Sequence, residues 1–225
     1  MKTLITRTVT GIGYISLMGF AFLYSKWALF VIFLLFLMVA LFEYFNLVKD
    51  FPETKNSKQL IIRHIILPFV WIIVPMVLVV YWCVVLNATP IMVALFLILC
   101  TNDTLAYLFG TLCGKHKIWK RVSPKKSWEG FLGGLLFTVT ATWTLIYVSY
   151  FQNDTFTSPY LWMGFSLVVI IAGTFGDFAE SMVKRLAQQK DSGSILPGHG
   201  GILDRIDSML FAVPVGMIYW AIFTV

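Results

Sequence analysis

The sequence predicts an all-α, polytopic integral membrane protein of about seven transmembrane helices, and three observations carry that prediction. Of its 225 residues 59% are hydrophobic and only 12% are charged, whereas soluble domains carry about 25% charged residues. The mean hydropathy is +0.83. The apolar residues are gathered into runs of the ~20 residues a helix needs to cross a hydrocarbon core, where only a helix or a closed barrel satisfies the backbone polar groups.

The runs place spans over residues 9–25, 27–48, 64–86, 90–112, 130–151, 159–183 and 206–225. The first two follow each other so closely that they form a hairpin. In the third, Pro68 and Pro75 each remove a backbone donor and crowd the preceding turn, which predicts a kink. Small residues four apart, Gly130 and Gly134 and then Ala172 and Gly176, predict close approach of helix backbones. The opening "MKTLITRTVTGIGYISLMGF" lacks a small-residue cleavage site and reads as a retained span. No repeat or low-complexity tract appears, so residues 1–225 are read as a single membrane domain.

Charge orients the spans. The 17 Lys and Arg residues give a net charge of +6, but they sit in short loops between apolar runs, which argues against nucleic-acid binding. With the N-terminus in the cytoplasm, sixteen of them fall inside and only Lys26 outside, a strong positive-inside bias. The outer connectors "NATP" and "QNDTFTSP" carry no basic residue. Cys83, Cys100 and Cys113 have neither zinc-site spacing nor an even count, and they read as ordinary small hydrophobes.

Acidic groups inside a span cost roughly 2.5–3.5 kcal/mol each near the bilayer centre and so require an explanation. Asn102 and Asp103 lie in "LCTNDTLAYLFG", where Asp103, Tyr107 and Gly110 share a helix face. Asp177, Glu180, Ser181 and Lys184 form one stripe in "GTFGDFAESMVKR". At ~1.5 Å per residue, Asp177 stands roughly 9 Å to the cytoplasmic side of its span's midpoint, within reach of a polar cavity open to the cytoplasm. Glu43, without polar neighbours near the end of the second span, reads as an interfacial residue.

Two basic loops read as one site. In "GKHKIWKRVSPKKSWEG", Pro124 ends one segment and Ser127 is placed to cap a new helix whose first turn holds Glu129. Lysines just before a helix N-terminus suit a phosphate. "GTLCGKH" is one residue short of a P-loop and ends in His where Ser or Thr would bind magnesium. In "KRLAQQKDSGSILPGHGGILDRID", the glycines allow close backbone approaches, and Asp204 and Asp207 open the last helix facing the same way. Acids flanked by Lys184, Lys190 and Arg205 suit a magnesium ion with a polyphosphate. Asp204 with Asp177 is the favoured metal pair; His199 either contacts phosphate or orders the loop.

These segments together resemble the phosphatidate cytidylyltransferases, or CDP-diacylglycerol synthases. Their C-terminal signature is matched by Ser181, Lys184, Arg185, Lys190, Asp191, His199, Gly200, Gly201, Asp204, Arg205 and Asp207, and "NDTLAYLFG", "GKHK", "SPKKSWEG" and "GTFGDFAES" are similar to family segments in the same order. The resemblance covers roughly residues 95–210. It divides the chain into N-terminal hydrophobic helices (1–89) and a catalytic half (90–225).

The resemblance implies that CTP and phosphatidic acid give CDP-diacylglycerol and pyrophosphate at the cytoplasmic face of the cell membrane. It implies Mg2+ as cofactor and a homodimer; whether a second, monovalent cation shares the site is left open by the sequence. Catalysis falls to Asp177, Asp204, Asp207 and Lys190, with Asp177, Asp204 and Asp207 as metal ligands. Lys125, Lys126, Lys190 and Arg205 would hold phosphates. Ser181, Lys184 and Arg185 would line the cavity near the lipid headgroup, and Asn102 and Asp103 would shape its wall or touch the nucleotide. Two rival readings are a CTP-dependent enzyme acting on an ether lipid or polyprenol, and a small transporter using Asp103 and Asp177 as intramembrane acids.

Overall fold

The computed structural model describes residues 2–51, 57–147, 158–196 and 200–224. His199 and most of the connector "QNDTFTSP" lie outside them. Helices stand at all seven predicted places and mostly run further than the apolar pattern. They are α1 (Lys2–Leu23) and α2 (Lys26–Lys49); a third segment that joins α3 (Ser57–Ile61) to α4 (Val74–Val80) and continues to Val85; then α5 (Thr89–Leu112), α6 (Trp128–Tyr147), α7 (Pro159–Leu186) and α8 (Leu203–Thr224). Among the described residues, five helical segments are long and apolar enough to cross a membrane: Lys26–Lys49, Lys58–Val85, Thr89–Leu112, Pro159–Leu186 and Leu203–Phe223. Large apolar side chains such as Phe42, Ile65, Leu136, Phe175 and Ile218 are more than half exposed, as expected of faces that meet lipid.

Local sequence sets the helix ends. Ser25 caps α2 by accepting from the Ala28 N–H at 3.0 Å. Ser158 caps α7 by accepting from Tyr160 N–H at 3.3 Å, with Pro159 in the first turn, where its missing donor costs nothing. At the other end of α7, Gln188 takes φ +56° and the Gln189 N–H returns to the Lys184 carbonyl at 2.9 Å, a left-handed stop more often built with glycine.

The prolines of the third segment act through wide turns. π-helical turns occupy Ile62–Ile66, just before Pro68, and Phe69–Ile73, just before Pro75; a further one occupies Tyr81–Val85. A proline cannot donate to the carbonyl four residues back and crowds it, and a π turn accommodates both problems without ending the helix. Lys26 reaches the Val84 carbonyl at 3.4 Å and also pairs with Asn87. The α1–α2 turn and the turn at Asn87 therefore share one end of the bundle.

Glycines bring α5–α8 together in two pairs. A Cβ on Gly130 would lie 2.7 Å from the Ala106 carbonyl oxygen, and one on Gly134 would lie 2.9 Å from Ala106 Cβ, so α6 packs directly on α5. On α7, a Cβ at Gly176 would stand 2.5 Å from the Asp207 carbonyl oxygen. Gly173, one turn earlier, faces Leu99 and Ser208, so it joins Gly176 in the α7–α8 contact. Tyr219 donates to the Leu161 carbonyl at 2.8 Å and fixes the far end of the same antiparallel pair.

One element departs from the all-α expectation. Strands β1 (Lys117–Trp119) and β2 (Ser123–Ser127) form an antiparallel hairpin between α5 and α6, with Lys117 opposite Ser127 and Trp119 opposite Ser123. Ile118 and Trp119 favour extended backbone, and Pro124 is tolerated because a two-stranded ribbon has only edge strands.

Candidate active site

The β1–β2 hairpin is tied to the start of α6. Ser127 accepts from the Gly130 N–H at 3.2 Å, the predicted cap, and the Trp128 N–H reaches the His116 carbonyl at 2.9 Å. Glu129, ahead of the apolar stretch of α6, accepts from the backbone N–H groups of Lys115 and His116 at 3.1–3.2 Å and pairs with His116 Nδ1 at 2.6 Å. Its own backbone N–H and the His116 side chain hold the Glu129 carboxyl down at about 2. A carboxyl lowered on folding stabilises the fold above its ordinary value of 4.5 and loses that contribution as pH falls toward 2. Hairpin order, followed by Trp119 emission against a Trp119→Phe control, is therefore expected to hold from neutrality to about pH 4.5 and to weaken progressively from there toward pH 2. A midpoint above pH 5 would contradict this assignment.

The hairpin docks on the C-terminal half of α7. Arg185 donates through Nε to the Val122 carbonyl at 3.2 Å and through Nη1 to the Gln189 carbonyl at 3.3 Å. Lys126 pairs with Asp177 at 2.5 Å, and its ammonium lies 4.8 Å from the Phe178 ring. Ser181 donates to the other Asp177 oxygen at 3.3 Å. One turn on, Lys184 bridges Glu180 and Asp204, the latter at 2.5 Å. The predicted stripe of α7 is thus one face, but its pairing is its own: Asp177 takes Lys126 from the hairpin, and Lys184 takes Asp204 from α8.

Two acidic groupings result. Asp177 interacts electrostatically with Asp103 of α5 and Asp207 of α8, while Glu180 and Asp204 converge on Lys184. Across both, Asp103, Asp177, Glu180, Asp204 and Asp207 face Lys126, Lys184 and Arg205. Five carboxylates against three cations give the cluster an excess of negative charge, and hard carboxylate oxygens suit a divalent ion. Among the described residues, no three acidic, His or Cys side chains stand close enough to form a ready metal cage.

The carboxylates are unequally available. Asp207 uses one oxygen for the Ser208 N–H at 2.6 Å. Asp204 is saturated: Oδ1 meets Lys184, Oδ2 accepts from Ser192 N–H at 2.9 Å and Gly201 N–H at 2.8 Å, and Ser192 Oγ, whose one proton is shared between this oxygen and Glu43, lies 3.0 Å away. In this arrangement Asp204 organises the loop, and it would have to exchange Lys184 for a metal in order to ligate one. Asn102 is buried with its Oδ1 unpaired, close to Gly134. Lys125 and Lys190 are exposed at the same end of the bundle.

Glu43 corrects the sequence reading. It is not interfacial but 2% exposed, and it crosses from α2 to the start of α8. Its carboxylate accepts from Ile202 N–H at 3.1 Å, Leu203 N–H at 2.8 Å and Ser192 Oγ at 3.1 Å. The neighbours invisible to local pattern reading are backbone donors some 160 residues away. The "GHGG" stretch explains part of this fit. Gly200 adopts φ +80° while its carbonyl accepts from Leu196 N–H at 2.9 Å, and side chains at Gly193 or Gly201 would run into the Glu43 carboxylate.

Beside the polar cluster, an apolar groove of about 560 Å³ runs along α7 and α8, lined by Trp119, Phe175, Phe178, Met182, Phe211 and Val215 among others. Phe178 belongs to both, since its ring carries the Lys126 ammonium.

Comparison with known proteins gives the family. Residues 54–223 match the profile of the Cytidylyltransferase family. The chain belongs to that family. Three similar relatives are phosphatidate cytidylyltransferases of staphylococci: from Staphylococcus aureus (strain COL), 45% identical over 120 residues; from Staphylococcus haemolyticus, 43% over 122 residues; and from Staphylococcus epidermidis (strain ATCC 12228), 43% over 123 residues. Each alignment covers 53% of this chain and 45% of the relative, so the chain spans about half the length of the curated relatives it matches. Glu43 precedes the family-matched segment.

Proposed function

We propose that the chain transfers the cytidylyl group of CTP to phosphatidic acid, releasing pyrophosphate and leaving CDP-diacylglycerol in the cell membrane. The reading places seven spans with the N-terminus in the cytoplasm and the Lys126–Asp177 cluster facing that side. The observation that carries it is the junction at Phe178. There a carboxylate- and lysine-lined site fit for phosphates meets an apolar groove fit for acyl chains. Membership of the Cytidylyltransferase family supports the nucleotide, and the names of the staphylococcal relatives support the lipid.

The residues suit the chemistry in stated ways. A phosphate oxygen of phosphatidic acid attacks the α-phosphorus of CTP, a new P–O bond forms, and the bond to the β-phosphate breaks in line. A phosphate monoester is already largely ionised near neutral pH, so no side chain need remove a proton. Lys126 and Lys184, with Arg205, Lys125 and Lys190 at the same end, neutralise the incoming phosphates and the departing pyrophosphate. Ser181 and Arg185 steady the wall on the hairpin side. Asp177 and Asp207, with Asp204 joining through the oxygen now held by Lys184, would hold Mg2+. When bound, Mg2+ supplies charge neutralisation and orientation of the phosphates. The homodimer implied by the family resemblance, and a second, monovalent cation beside Mg2+, belong to the same proposal.

The test is direct. Protein purified in detergent and given labelled CTP, phosphatidic acid and Mg2+ is expected to form lipid-linked CMP and an equal amount of pyrophosphate. Absence of lipid-linked CMP would overturn the reading, and solute flux in proteoliposomes without nucleotide turnover would favour a transporter instead.

A further inference from the structure

Five side chains form an unbroken chain of contacts from the N-terminal helices into the proposed site. Glu43 of α2 is held by Ser192 Oγ; Ser192 Oγ also lies 3.0 Å from Asp204 Oδ2; Asp204 Oδ1 meets Lys184, which meets Glu180. Glu43 also satisfies the N–H groups of Ile202 and Leu203, two of the donors that a helix start leaves without intrahelical partners. A buried carboxylate accepting from two backbone donors and a hydroxyl fixes their positions through charge-assisted hydrogen bonds. Gly193 and Gly201 pack so closely against that carboxylate that a Cβ at either would stand 2.4–2.5 Å from one of its oxygens.

We propose that Glu43 is a positioning residue of the active site: from outside the family-matched segment, it sets Ser192 and the first turn of α8, and so holds Asp204 where it engages Lys184. It does not touch substrate. The proposal rests on the reading of the Asp177–Asp204 region as the reaction site.

Glu43→Gln is the informative substitution. Ile202 and Leu203 donate to different oxygens of Glu43, so the amide of a glutamine turns its NH2 toward one of these N–H groups and sets donor against donor. Side chains that orient a reactive group from behind typically contribute about 10- to 100-fold. Glu43→Gln is therefore expected to raise the KM for CTP by roughly tenfold with kcat changed less. Without any turnover, hydrogen exchange at the amides of Gly201 to Asp204 is expected to accelerate by a similar factor. Tyr44→Phe is the control. It removes the bond from Tyr44 OH to the Arg63 carbonyl at 2.8 Å, one residue along the same helix, and is expected to change neither reading.

If Glu43→Gln does not accumulate folded, Ser192→Ala carries the test, since it removes only the hydroxyl shared between Glu43 and Asp204. A raised KM supports the proposal. Unchanged exchange, an unaltered KM in a variant that turns over CTP, or an equal KM change in Tyr44→Phe overturns it and leaves the functional reading standing. A parent chain with no CTP turnover sinks the functional reading and the positioning role together.

Discussion

Asp177→Asn is expected to lower cytidylyl transfer by about 10²- to 10³-fold, the loss usual when one charge-stabilising group of a reaction site is removed, while the folded protein survives. The substitution keeps shape and an oxygen able to accept from Ser181. It deletes the charge that Lys126 meets at 2.5 Å and that interacts with Asp103 and Asp207. The loss should fall on kcat more than on KM for lipid, because the groove beside Phe178 is untouched. Asp204→Asn provides the contrast. It weakens four contacts at once, three of them from the loop and one from Lys184, so it should lower both activity and thermal stability in detergent. Transfer within threefold of the parent in Asp177→Asn would remove that residue from the site.

The second large effect is on folding. Lys184→Met leaves Glu180, fully buried, and Asp204, 7% exposed, without their common cation. Removing one partner from a buried ion pair costs about 3–5 kcal/mol, because the remaining charge keeps its desolvation penalty. Adding Glu180→Gln removes one of the two stranded charges and is expected to restore part of the loss. Thermal or denaturant unfolding of the parent, both single variants and the double variant forms a cycle that isolates the coupling. Additive effects of the two substitutions would show that the Lys184–Glu180 pair contributes nothing of its own.

Different parts of this arrangement were legible in the sequence to different degrees. Apolar runs located the five segments long and apolar enough to cross a membrane because lipid imposes a minimum length on each, and the Ser127 cap was readable because its signal is local: serine, then Glu129, then an apolar run. The α7 stripe was correct as a face because helical spacing fixes which side chains share it. Its ionic partners were not readable, since Lys126 and Asp204 arrive from other elements. The hairpin was hidden in a lysine-rich stretch whose charge drew attention away from Ile118 and Trp119. Glu43 was missed for a related reason. Its partners are mainly backbone N–H groups, which leave no mark in residue identity, and the glycines that make room for it read equally well as loop flexibility.

The wide turns of the third segment carry a consequence for membrane fit. At 1.5 Å per residue, a regular helix over the 28 residues Lys58–Val85 would be about 42 Å long, against a hydrocarbon thickness of ~30 Å. Each π turn takes in about one residue more than an α turn for a similar rise. Three of them shorten the segment by roughly 4–5 Å. A stretch of sequence that looks too long for the bilayer is thereby brought nearer to its thickness by winding, with correspondingly less need to lean.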